Sequence, residues 1–116
     1  MKRTLLAALL ATAAMAAHAT GHNWVVISAD GNTVADTTTI AHVGDHGYIW
    51  IKSNFNGHIF ISREDIGCSG SIARPMKINV YDTNSVLVQS QDYPGQYTPI
   101  QPNSILDSAS NLVCGQ

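Results

Sequence analysis

Cys68 and Cys114 are the two cysteines of a 116-residue chain, and 46 positions separate them. What they do depends on the compartment. The first nineteen residues read MKRTLLAALLATAAMAAHA. Lys2 and Arg3 form a positive start, Leu5 to Met15 an apolar run broken by Thr12, and Ala17-His18-Ala19 a small-x-small cleavage site. This is the pattern of a secretory signal peptide over residues 1–19, leaving a domain over 20–116. A membrane anchor is the competing reading, but the run is shorter than the roughly 20 residues a spanning helix needs. In an exported chain of under 100 residues, two cysteines read as one disulfide. An intermolecular bridge is one alternative. A redox pair is another, although such pairs usually sit as C-x-x-C. In the loop-entropy model, a loop of 46 residues contributes roughly 4 kcal/mol, a large share of a small domain's stability. The bridge would tie the end of the chain to its middle.

Charge narrows the partners. Only 12% of residues are charged, about half the usual quarter. Loss of Lys2 and Arg3 takes the formal net charge from −2 to −4. Lys52, Arg63, Arg74 and Lys77 remain, and they form no run. A weakly acidic chain without clustered basic residues argues against nucleic acid as partner. No further apolar stretch is long enough to span a membrane. No cysteine stands at the cleavage site to carry a lipid. The expected location is the periplasm, the cell surface or the medium.

Alternation predicts strands at His22–Ser28, Thr33–Ile40, Gly47–Ser53, His58–Ser62, Met76–Tyr81 and Val86–Ser90. Asp30-Gly31, Gly44-Asp45-His46-Gly47, Asn54–Gly57 and Asp82–Ser85 read as turns. The Thr-rich second strand reads as the more exposed one. In the third, Tyr48, Trp50 and Lys52 share one face and Ile49 and Ile51 the other. Pro94, Pro99 and Pro102 exclude a helix or central strand between Tyr93 and Pro102. One helix follows: Ser104 is its N-cap, with Asp107 as a capping-box-like partner. Ile105, Leu106, Ala109, Leu112 and Val113 form its apolar stripe, and Gly115 ends it. At about three turns it is too short to be stable alone, so it must dock on the sheet, where Cys114 would pin it. The predicted fold is α+β: an antiparallel sheet of five to six strands with one C-terminal helix packed on it and tied by the disulfide.

Trp24, Asp30, Gly31, Asp36, Ile40, Trp50, Cys68 and Tyr81, followed by Ile100, Pro102, Ser104, Leu112, Val113 and Cys114, make a pattern across nearly the whole exported chain. Its most specific part is IQPNSILDSASNLVC. In this pattern the chain resembles the bacterial surface-adhesin protein E family. The resemblance implies a small antiparallel sheet with a disulfide-held helix, on a Gram-negative bacterium. It also implies non-covalent binding of host matrix or plasma proteins. Two departures weaken the second implication. Tyr97 stands where the family commonly has Trp, and the lipid-anchoring cysteine of the host-binding members is missing.

Three groups of residues are candidates for a site. His42, Asp45 and His46 could converge on a metal ion, with His22 or His58 as a further side, which would suit a periplasmic metal-binding, accessory or inhibitor protein. Set against this, histidines at a hairpin tip are usually just solvated. Tyr48, Trp50, Tyr93 and Tyr97 are candidate anchors for a protein partner. For Trp50, packing beneath the helix is the favoured expectation. Catalysis has no support. Glu64 and Asp65 are adjacent and would point apart on a strand, and Ser69 and Ser71 lie in no G-x-S-x-G. Neither a P-loop nor a dinucleotide fingerprint occurs. The expectation is a non-enzyme without a cofactor, in which an exposed edge strand could pair with a second copy.

Overall fold

The computed structural model describes residues 21–115, so the signal peptide proposed for residues 1–19 lies outside the described residues. Seven strands and one helix follow in order: β1 (Trp24–Val26), β2 (Thr33–Val43), β3 (His46–Phe55), β4 (His58–Gly67), β5 (Ile72–Tyr81), β6 (Leu87–Gln91), β7 (Thr98–Pro99) and α1 (Ile105–Cys114). All pair antiparallel in one sheet of order β1-β2-β3-β4-β5-β6, with β7 beside the start of β5. The seventh strand, one more than the sequence suggests, lies in the proline-rich stretch. Pro99 is tolerated there because the strand is two residues long and pairs only with Ile72 and Ala73.

The turns follow local chemistry. Asn56 and Gly57 both have positive φ (51° and 77°) and close the β3–β4 hairpin, as expected of Asn-Gly in a two-residue loop. At the β2–β3 turn only Gly44 and Asp45 lie between the strands, and His46 and Gly47 already belong to β3. Asp82 holds the next turn through its carboxylate, which accepts from the Asn84 and Val86 N–H groups at 2.8 and 3.0 Å.

The helix sits against β2 and β3. Its Ala109 and Val113 are fully buried with Ala35, Ile49, Ile51, Ile66 and Ala73. Gly47 makes this approach possible: a Cβ there would lie 2.0 Å from Val113 Cγ1. Ser104 caps the helix, its Oγ accepting from the Asp107 N–H at 3.1 Å. The Asp107 carboxylate reaches back to the Asn103 N–H at 2.8 Å, one residue before the cap. Ile105 is 42% exposed and lies off the buried stripe, which begins at Leu106. The Cys68–Cys114 disulfide closes the far end, with Cα atoms 5.7 Å apart.

The structure changes three further expectations. The second strand is not the exposed one: Thr33, Ala35 and Asp36 are buried, because its short side chains leave room for neighbouring elements. The fourth strand does not end at Ser62, and Glu64 and Asp65 lie within it on opposite faces. β4 runs through them to Gly67, and both are buried. Trp50 does not lie beneath the helix. Ile49 and Ile51 do, so the alternation of β3 puts Trp50 on the opposite face.

Candidate functional site on the open face of the sheet

Among the described residues, no helix covers the face opposite α1. Residues paired directly across antiparallel strands share a face, so the register lays out this surface. Trp24, Asp36, Trp50, Arg63 and Lys77 form one row across five strands, about 19 Å long at the usual strand spacing. Val26, Val34, Lys52, Ile61 and Asn79 form the next row on one side. Tyr48, Asp65 and Arg74 form the row on the other side.

Every Lys and Arg among the described residues therefore stands on this face. Three of them lie over aromatic rings. Lys52 Nζ is 4.6 Å from the Trp24 centroid. The Arg63 guanidinium sits 5.4 Å from Tyr48 and 5.6 Å from Trp50. Arg74 lies 4.4 Å from Tyr97. Stacking fixes long cationic side chains that would otherwise lose entropy on binding. Between Trp24 and Trp50 the surface dips into a recess of about 260 Å³, bounded also by His22, Thr39, Ile61 and Asn79.

Two buried carboxylates lie under this array. Asp36 is fully buried. It accepts from the Asn23 N–H, the Thr38 N–H and the Thr38 hydroxyl at 3.0, 3.0 and 2.7 Å, and from His22 Nδ1. Burial pushes its pKa up, but these donors outweigh burial and bring it down to about 2. Asp65 accepts from Tyr97 OH at 2.6 Å, His46 Nδ1 at 2.7 Å and Arg74 Nε at 3.1 Å. Burial again raises its pKa, and the three donors lower it below the ordinary value. The same contact raises the Tyr97 phenol. Both carboxylates are thus matched internally, while Lys52 and Arg63 form no ion pair among the described residues.

Of the four aromatic candidates, Tyr48, Trp50 and Tyr97 come together here. Tyr93, 60% exposed, stands apart beyond β6. Trp24 and Arg63 complete the array. A signal for Trp24 was present in His22-x-Trp24, which alternation puts on one face. Arg63 carried no such signal, because only the length of β4 brings it beside Trp50.

The histidine group disperses. His42 Nε2 donates to the Val113 carbonyl at 2.9 Å, satisfying a group at the helix C-terminus. His46 orients Asp65. The Asp45 carboxylate accepts from Ser69 N–H and hydroxyl at 3.1 and 2.6 Å, which lowers its pKa. Among the described residues no group of three or more His, Cys, Asp or Glu side chains is placed to hold a metal. His58 Nδ1 contacts only the Asn56 carbonyl, at 3.1 Å.

A larger recess, about 530 Å³, lies beside the Ser28–Asp30 turn and the start of α1. Its polar groups bind one another: Ser28 Oγ donates to Asp30 at 2.7 Å and Ser104 Oγ to the Gln101 carbonyl at 2.6 Å. The open face combines aromatic area with cations, Lys52 and Arg63, that form no ion pair among the described residues. Comparison of the chain with protein-family models, with curated proteins and with solved structures finds no match.

Proposed function

We propose that this chain is an exported, non-catalytic binding protein that engages a host or envelope protein through the open face of its sheet. The resemblance to surface-adhesin protein E supports the class. One observation carries the site: Trp24, Trp50, Tyr48, Tyr97 and Arg63 cluster on a face that no described element covers. Trp, Tyr and Arg are the residue types that dominate binding energy at protein interfaces. Such a face needs no catalytic group, and the two buried aspartates hold its geometry from below.

The experiment immobilises the protein and passes over it an envelope extract, then plasma and matrix proteins. A genuine partner binds the unaltered protein and the Asn111→Ala variant, which changes an exposed position on the opposite side. Trp24→Ala with Trp50→Ala loses it. Equal capture by all three proteins would refute the assignment of the site. A separate proposal concerns assembly. β6 is an edge strand, and Val86, Leu87 and Val88 are each about half exposed there, which favours edge pairing of two copies. Replacing Val88 by Lys should convert a dimer to a monomer by sedimentation.

A further inference from the structure

The open face carries the opposite charge from the rest of the chain, and this identifies the chemistry of its partner. All four cations among the described residues are here, although residues 20–116 sum to −4. The two aspartates of the face are buried and ringed by their own donors, so they project little charge outward. Lys77 forms an exposed 3.4 Å pair with Asp92, which is worth little in water. Lys52 and Arg63 have no such pair.

A second feature points the same way. Arg63 and Lys77 are direct cross-strand partners. Like charges placed opposite each other destabilise a sheet; the exposed Lys77–Asp92 pair offsets this repulsion only weakly, and a bound anion would relieve it further. Beside them Trp50, Tyr48 and Trp24 supply flat apolar area, and the recess between the two tryptophans admits a side chain.

We infer that the face binds an acidic, extended protein segment whose carboxylates lie along Lys52, Arg63 and Lys77 while its apolar side chains meet Trp24 and Trp50. The inference rests on the binding function proposed above and names its partner's chemistry. A dense polyanion is a poorer fit. The positive face is a local patch on a chain that is acidic overall, and long-range repulsion from the remaining carboxylates grows with the polymer's charge. An acidic segment carries few charges and interleaves them with apolar groups, matching the interleaved face.

The test follows tryptophan fluorescence of the purified protein with three probes: a synthetic peptide alternating Asp with Val, its counterpart alternating Lys with Val, and heparin. The acidic peptide should bind and the basic one should not. Arg63→Gln and Lys52→Gln should each weaken binding by about tenfold, as loss of an interfacial charge pair does, whereas Arg63→Lys should weaken it less. Higher salt should weaken binding further, and Asn111→Ala should leave it unchanged. Binding of heparin in place of the acidic peptide would make the occupant a sulfated glycan and overturn the inference. Equal affinity for both peptides would overturn it as well. If the acidic peptide fails to bind while Trp24→Ala with Trp50→Ala still abolishes partner capture, the face is a binding site for a non-acidic partner and only the present inference falls. If both experiments fail, the binding function falls with it.

Discussion

One sheet presents two faces with opposite solutions to burying charge. Beneath the helix, Glu64 is 8% exposed and pairs with no cation among the described residues. Burial raises its pKa, and the Ser62 hydroxyl only partly offsets this. On the open face, Asp36 and Asp65 are also shielded from solvent and yet shifted down, because each is encircled by donors. The sign follows from the balance between desolvation, which raises all three, and the donors within reach, which are many for the aspartates and one for Glu64. The covered face is held by apolar contact and one covalent link, the open face by hydrogen bonds and stacked cations.

The largest effect expected is on the covered face. Cys68→Ser with Cys114→Ser should cost about 4 kcal/mol by urea unfolding. A loss near zero would show that packing alone seats the helix. Adjacent residues then separate the faces. Ile49→Ala should cost about 3 kcal/mol, the usual range for emptying a core position. Trp50→Ala, only partly buried on the other side, should cost clearly less despite its larger side chain. The reverse order would make the open face the true core. Next comes acid. The Asp36 pKa of about 2 against an ordinary 3.8 implies about 2 kcal/mol of stability. A depressed carboxylate contributes this fully above the unfolded value, and loses it as pH falls from about 4 toward 2. Asp36→Asn should therefore be less stable at neutral pH and level with the unaltered protein near pH 2. Glu64 has the opposite sign. Its raised pKa means that ionisation in the fold opposes stability as pH rises, so Glu64→Gln should gain a little at neutral pH and nothing in acid.

Much of this arrangement can be read from local pattern. Alternation in Tyr48–Lys52 places Ile49 and Ile51 together, the Ser104 cap starts the helix where it is found, and the spacing of Cys68 and Cys114 anticipates the staple. What alternation leaves open is which face the helix takes. Gly47 decides it, being on the Ile49 side and leaving space for Val113. The buried run Arg63-Glu64-Asp65 was harder to read. Its polarity suggests a loop, and the partners that make it a strand, His46, Arg74 and Tyr97, lie 9 to 32 positions from Asp65. Likewise His42 and His46 look paired by spacing, yet they flank a turn and bond to different elements. The aromatic-cation array was legible only within β3, where Tyr48, Trp50 and Lys52 share a face; register brings Trp24 of β1, Arg63 of β4 and Arg74 of β5 beside them, with Tyr97 just before β7.

The disulfide also sets how the molecule bears tension. A pull on the backbone at Gly115 passes from Cys114 through sulfur to Cys68 at the end of β4, and residues 69–113 carry none of it. The helix is spared, and the load enters the middle of the sheet. There the Asp45 carbonyl accepts from the Cys68 N–H at 3.0 Å, and the Asp45 carboxylate holds Ser69, so the β2–β3 turn shares the strain. Tension applied at this end therefore reaches β4 and the β2–β3 turn before it reaches the edge strand β6.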